Sequence, residues 1–150
     1  MARAIQLSIE NARSGRGGPF GAVVVKAGKV IAEGVNQVTA RYDPTAHAEV
    51  NAIRQACESV SHFELKDCEL YTSCEPCPMC LGAIYWARLS RVYFAAVAED
   101  ASKIGFDDSA IYREIARPHG ERTIPMIEMM REEALIAFLA WEEKPDKIRY

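Results

Sequence analysis

The chain has 150 residues, the length of one domain that buries about two thirds of the surface it exposes when unfolded. Its formal net charge is −3, with basic residues scattered along the chain, which speaks against a nucleic-acid partner, since that calls for a basic face. No apolar run approaches the roughly 20 residues of a membrane-spanning helix, and "MARAIQLSIENARSG" carries charge at Arg3, Glu10 and Arg13 with no apolar signal core. The five cysteines are odd in number and clustered, so the expectation is a cytoplasmic protein with reduced thiols and a small-molecule substrate.

In chain order, Ala2 to Ser14 predicts a helix with Ile5, Ile9 and Ala12 on one stripe, stopped by glycines. "FGAVVVK" and "VIAEGVN" are β-branched runs joined through Ala27 and Gly28, an antiparallel hairpin whose first strand, apolar almost throughout, is central. After the turn "RYDPT", the segment "HAEVNAIRQACESV" places Ala52, Ile53, Ala56, Cys57 and Val60 on one face of a second helix. "CELYTS" reads as a strand, "CPMCLGAIYWARL" as a helix opened by prolines, and "RVYFAAV" as another strand. This alternation favours parallel pairing under helical layers, hence an α/β fold. Beyond Ala98 the segments are a loop and short helix in "GFDDSAIYREI", an extended piece in "RTIPMIEM", and a last helix in "EEALIAFLAWEE". Arg113, Arg117 and Arg122 lie among Asp107, Asp108, Glu114 and Glu121, a mixed solvated surface. Met126, Met129, Met130, Trp86 and Trp141 read as packing residues, His62 and His119 as surface histidines, and Cys57 and Cys68 as small apolar core residues.

The chemistry concentrates in "CEPCPMC" and "HAEV". Cys77 and Cys80 stand at i and i+3 where a helix begins, and free N–H groups there favour thiolate, the form that binds metal. His47 and Glu49 open the other helix, and both side chains reach a site beyond its end because side chains tilt toward the helix N-terminus. One histidine and two cysteines suit zinc and leave a fourth position for water, which in catalytic zinc sites needs a nearby base; Glu49 has that chemistry. A structural zinc site is the competing reading. It requires a fourth ligand, Cys74 or His62, and leaves Glu49 without a task.

The pattern H-A-E followed by P-C-P-M-C is the signature of zinc nucleobase deaminases. With "GGPFGAVVVK", "DPTAHAEVNAIRQAC", "LYTSCEPCPMCLGAIYWAR", "GFDDSAIYREI", "ERTIP" and the aromatic terminus "IRY", the chain resembles the cytidine and deoxycytidylate deaminase superfamily, and within it the bacterial guanine deaminases. The resemblance implies a three-layer α/β/α fold around a mixed five-stranded sheet, one deaminase domain over residues 1–150, and hydrolysis of free guanine to xanthine and ammonia. It implies one zinc ion per subunit on His47, Cys77 and Cys80, Glu49 as proton shuttle, and contacts to the purine from Asn36, Phe20, Asp108, Ala48 and a closing Tyr150. It also implies a homodimer, with exchange of the C-terminal segment 130–150 between subunits as one arrangement. The residues by themselves leave alternatives open: Asn36 as a turn residue, Asp108 as a helix cap, Phe20 as core, Tyr150 as a frayed terminus. Two rival functions share the zinc motif: deamination of adenosine in tRNA or of cytosine compounds, and a zinc-stabilised binding module without turnover.

Overall fold

A computed structural model describes residues 1–149; the Tyr150 expectation lies outside the described residues. The chain divides into two compact units, Met1–Asp108 and the remainder from Ser109 onward.

The first unit is built on a four-stranded sheet, β1 (Gly21–Lys26), β2 (Lys29–Val35), β3 (Cys68–Cys74) and β4 (Arg91–Ala96), in the order β2-β1-β3-β4. β1 is antiparallel to both of its neighbours, and β3 is parallel to β4, so the sheet is mixed. Ala27 and Gly28 join β1 to β2 with φ of 48° and 75°, the left-handed pair that matches the twist of a two-residue hairpin.

Helices α1 (Ala2–Ser14), α2 (Val38–Arg41), α3 (Ala48–Val60), α4 (Pro78–Trp86) and α5 (Ala98–Ser102) complete this unit. Two glycines show which helices lie on which face. A Cβ on Gly21 would stand 2.5 Å from the carbonyl oxygen of Ala4 in α1, and one on Gly34 would stand 2.1 Å from that of Ala48 in α3. Because Gly34 pairs with Ala22, the neighbour of Gly21, and successive strand residues face opposite ways, α1 and α3 cover opposite faces. This gives three layers. Ile84 and Ala87 join Ala22, Val24, Ala52, Ala56 and Leu70 in one buried cluster, so α4 shares the α3 side. Gly34 lets α3 approach the sheet more closely than any side chain would allow, and α3 carries the chemistry.

Four expectations are corrected. The sheet has four strands among the described residues, not five. Residues 122–129, the extended piece, pair with no strand; Pro125 has no N–H to give a ladder, and Ile124 and Ile127 are 77% and 85% exposed. The buried face of α1 is Ala4, Leu7, Ser8 and Asn11, while Ile5 and Ile9 are exposed, because it is the backbone of Ala4 and Ser8 and the Cβ of Leu7 that meet the sheet at Gly21. Met126, Met129, Met130, Trp86 and Trp141 are exposed and pack no core within the chain. Cys57 is half-buried rather than core, whereas Cys68 is buried as expected.

The second unit comprises α6 (Ser109–Ala116), a 3-10 turn (His119–Glu121) and α7 (Arg131–Glu143). Glu114 organises its first half by accepting hydrogen bonds from Arg117 and from the backbone and hydroxyl of Thr123. No residue described in this unit is buried.

Candidate active site

The starts of α3 and α4 bring the two motifs together. His47 is the N-cap of α3, with extended backbone (φ −72°, ψ 157°), and Cys77 is the N-cap of α4 (φ −65°, ψ 168°), followed by Pro78 in the first helical position. Proline loses nothing there, since the first N–H groups of a helix have no partner within it. Asn51 donates to the carbonyls of Val35 and Ala46, and Gln37 N–H donates to Ala46. These bonds stitch the end of β2 to the residue before His47.

His47 Nδ1 lies 3.5 Å from both Cys77 Sγ and Cys80 Sγ. Tetrahedral zinc, with bonds of about 2.0–2.1 Å to nitrogen and about 2.3 Å to sulfur, holds these atom types about 3.6 Å apart. The donor set fits zinc. It is the group of metal-ligating side chains that comes together among the described residues. Neither candidate fourth ligand takes part: Cys74 Sγ points to the carbonyl of Val97, and His62 Nδ1 accepts the N–H of Glu64.

Electrostatics separate the thiols. The Cys77 thiol is pulled down to about 4 by a hydrogen bond from Cys80, with His47 and the Cys80 N–H adding to the effect. Cys80 is driven the opposite way by that shared proton and by burial, and Cys74 is pushed up to about 11 by burial. Contact with the Cys77 thiolate raises His47.

Glu49 sits in the first turn of α3 and is 6% exposed. Its Oε2 faces Cys80 Sγ at 3.4 Å, and its Oε1 accepts a hydrogen bond from the Thr72 hydroxyl of β3 at 3.1 Å. Burial lifts the Glu49 carboxyl above its ordinary range, because a charged carboxylate loses hydration there.

The other sequence-identified residues of the first unit each have defined surroundings. Ala48 is fully buried at the start of α3. Asn36 is buried, and its Oδ1 accepts the N–H groups of Gly18 (3.2 Å) and Val38 (3.3 Å). Its acceptor is therefore committed to the backbone, and its Nδ2 is the end that can serve a ligand. Phe20 packs edge-on against Phe106, centroids 4.9 Å apart. Asp108 is half-buried, and its carboxyl is raised by burial and by the Cys77 charge nearby.

Three supports escape sequence reading. Asn11 of α1 is buried and donates through Nδ2 to the carbonyls of both Gly18 and Asn36, at 2.8 Å each. Phe106 bridges the "GFDDS" segment to Phe20. Thr72 holds Glu49. Asn11 and Thr72 carried no motif; their spacing from the site is set by tertiary structure alone, although the alternation of β3 placed Thr72 on the same face as Leu70.

Residues 1–96 match the family model described as the cytidine and deoxycytidylate deaminase zinc-binding region. The chain is 57% identical to guanine deaminase of Bacillus subtilis (strain 168) over 148 residues, 99% of this chain and 95% of that protein. The X-ray structure of guanine deaminase from Bacillus subtilis superposes with a TM-score of 0.97 at 56% identity, covering 99% of this chain and 95% of the other. A tRNA-specific adenosine deaminase of Aquifex aeolicus (strain VF5) is 44% identical over 79 residues, 53% of this chain and 52% of that protein. With the His47, Cys77 and Cys80 donor set beside a buried carboxyl, these likenesses establish that the chain belongs to the cytidine and deoxycytidylate deaminase family of zinc-binding proteins.

Proposed function

We propose that this protein hydrolyses free guanine to xanthine and ammonia, using one zinc ion per subunit held by His47, Cys77 and Cys80. The observation that carries the substrate is the extent of the likeness to a guanine deaminase, which runs through 99% of the chain, whereas that to a tRNA-specific adenosine deaminase covers 53%. In sequence, the former likeness extends over more of the chain than the latter.

Zinc, when bound, supplies Lewis-acid activation of water. Glu49 does the proton work: it takes a proton from the attacking water and delivers it to the ring nitrogen beside C2, then takes the remaining proton of the hydroxyl added to C2 and delivers it to the amine, whose bond to C2 breaks as the carbonyl forms, releasing ammonia. N–H groups at the start of α4 stabilise the oxygen added to C2. Asn36 donates through Nδ2 to an acceptor of the purine edge, and Asp108 accepts a ring N–H. Phe20 lies against the base, and Ala48 contacts it.

We read the protein as a cytoplasmic homodimer that exchanges its C-terminal segments. Support comes from the second unit, whose side chains Ile127, Phe138 and Leu139 are 85%, 69% and 58% exposed. Apolar surface on this scale calls for a covering partner.

Glu49→Gln tests the role of the carboxylate. The zinc-loaded variant should bind zinc and guanine as the wild type does and lose about 10²- to 10⁴-fold in turnover. Near-normal turnover would remove Glu49 from the mechanism.

A further inference from the structure

We propose that Thr72 is a positioning residue: it holds Oε1 of Glu49 so that Oε2 alone carries the proton. The inference rests on the reading of Glu49 as proton carrier given above. Thr72 is 1% exposed and sits in the interior of β3, paired with Ala22 on one side and Phe94 on the other. Its hydroxyl donates to Glu49 Oε1 at 3.1 Å, and strand pairing on both flanks fixes the backbone from which it projects.

The opposite oxygen is in a different situation. Oε2 faces Cys80 Sγ at 3.4 Å, on the side where His47, Cys77 and Cys80 come together. Oε2 is therefore the oxygen turned toward the donor set, while Oε1 is bonded to the strand. The carboxyl is asymmetric by construction. The proton leaving water arrives on Oε2, the same O–H bond breaks when the ring nitrogen is protonated, and the Thr72–Oε1 bond persists through both transfers. Without the hydroxyl, the carboxyl is free to turn about its last bond and present either oxygen, and a share of its orientations becomes unproductive.

The test compares Thr72→Val, which removes the hydroxyl at similar volume, with Thr72→Ser, which keeps it. Should the valine variant not fold, Thr72→Ala serves in its place. For zinc-loaded protein, the hydroxyl-free variant should lose about 10- to 100-fold in kcat for guanine, the range expected when support for a site residue is removed. Its KM and zinc stoichiometry should stay at wild-type values, and the serine variant should recover kcat. Crystal structures of the zinc-loaded wild type and hydroxyl-free variant should show the Glu49 carboxylate rotated in the variant. An unchanged kcat, a loss shared equally by serine, or a loss that follows zinc content would overturn the proposal. If the zinc-loaded wild type releases no ammonia from guanine, the substrate reading fails. The carboxylate orientation then decides: rotation in the variant sustains the role of Thr72, and an unchanged orientation ends it.

Discussion

Asn11→Leu removes one buried amide and leaves two carbonyl oxygens, those of Gly18 and Asn36, without the donor that now reaches each at 2.8 Å. Leucine has the same number and branching of side-chain heavy atoms, so the main perturbation is the loss of polarity rather than a cavity. A buried acceptor stripped of its partner costs about 1–3 kcal/mol; the Gly18 oxygen keeps the N–H of Phe20 at 2.8 Å, so the loss falls chiefly on the Asn36 oxygen and is about 1–3 kcal/mol. A second consequence is local. The same amide holds together the segments carrying Gly18, whose N–H fixes the Asn36 side chain, so loosening it frees the Asn36 amide to turn. Urea unfolding of the zinc-loaded protein should show a lower midpoint at an unchanged m-value, and KM for guanine should rise severalfold with a smaller change in kcat. A stability loss under about 0.5 kcal/mol, the scale of an ordinary surface substitution, would refute the claim that Asn11 braces the substrate side of the site.

Two further outcomes follow from the site's electrostatics. After removal of metal with a chelator, iodoacetamide at neutral pH should alkylate Cys77 ahead of Cys74 and Cys80, because the first is pulled down to about 4 while Cys74 is pushed up to about 11; peptide mapping reads the order, zinc should protect Cys77, and equal labelling of the three would contradict the assignment. Since burial raises the Glu49 carboxyl above its ordinary 4.5, the metal-free folded state retains a proton that the unfolded chain has released, so stability falls as pH rises from the ordinary carboxylate range through the raised value. Glu49→Gln should flatten that fall in urea titrations across pH, and parallel slopes for the two proteins would show that Glu49 is not its source.

The fold was legible where local chemistry and tertiary packing agree. Ala27-Gly28 marked a hairpin, the apolar run of β1 marked a central strand, and α3 buried Ala52, Ile53 and Ala56 as its periodicity required. The meeting of His47, Cys77 and Cys80 was legible because helix N-termini impose their own geometry on His47 and Cys77. Elsewhere the pattern misled. In α1 the helical spacing of Ile5, Ile9 and Ala12 suggested the inner face, but the helix meets the sheet at Gly21 through Ala4, Leu7 and Ser8, a contact set by a residue distant in the chain. Helices α2 and α5, four and five residues long, are too short to show a period. Asn36 could be read as donor and acceptor at once; only the N–H groups of Gly18 and Val38 settle that its oxygen is taken. Asn11 and Thr72 looked like any polar residues in a helix and a strand, since what distinguishes them is the partner each meets across the fold.

The central claim is tested most directly by incubating zinc-loaded protein with guanine, and in parallel with guanosine, adenine, cytosine and a tRNA anticodon stem, while following ammonia and product. Ammonia and xanthine from guanine alone are the predicted result. Ammonia from the anticodon stem or from cytosine, with none from guanine, would contradict the substrate assignment.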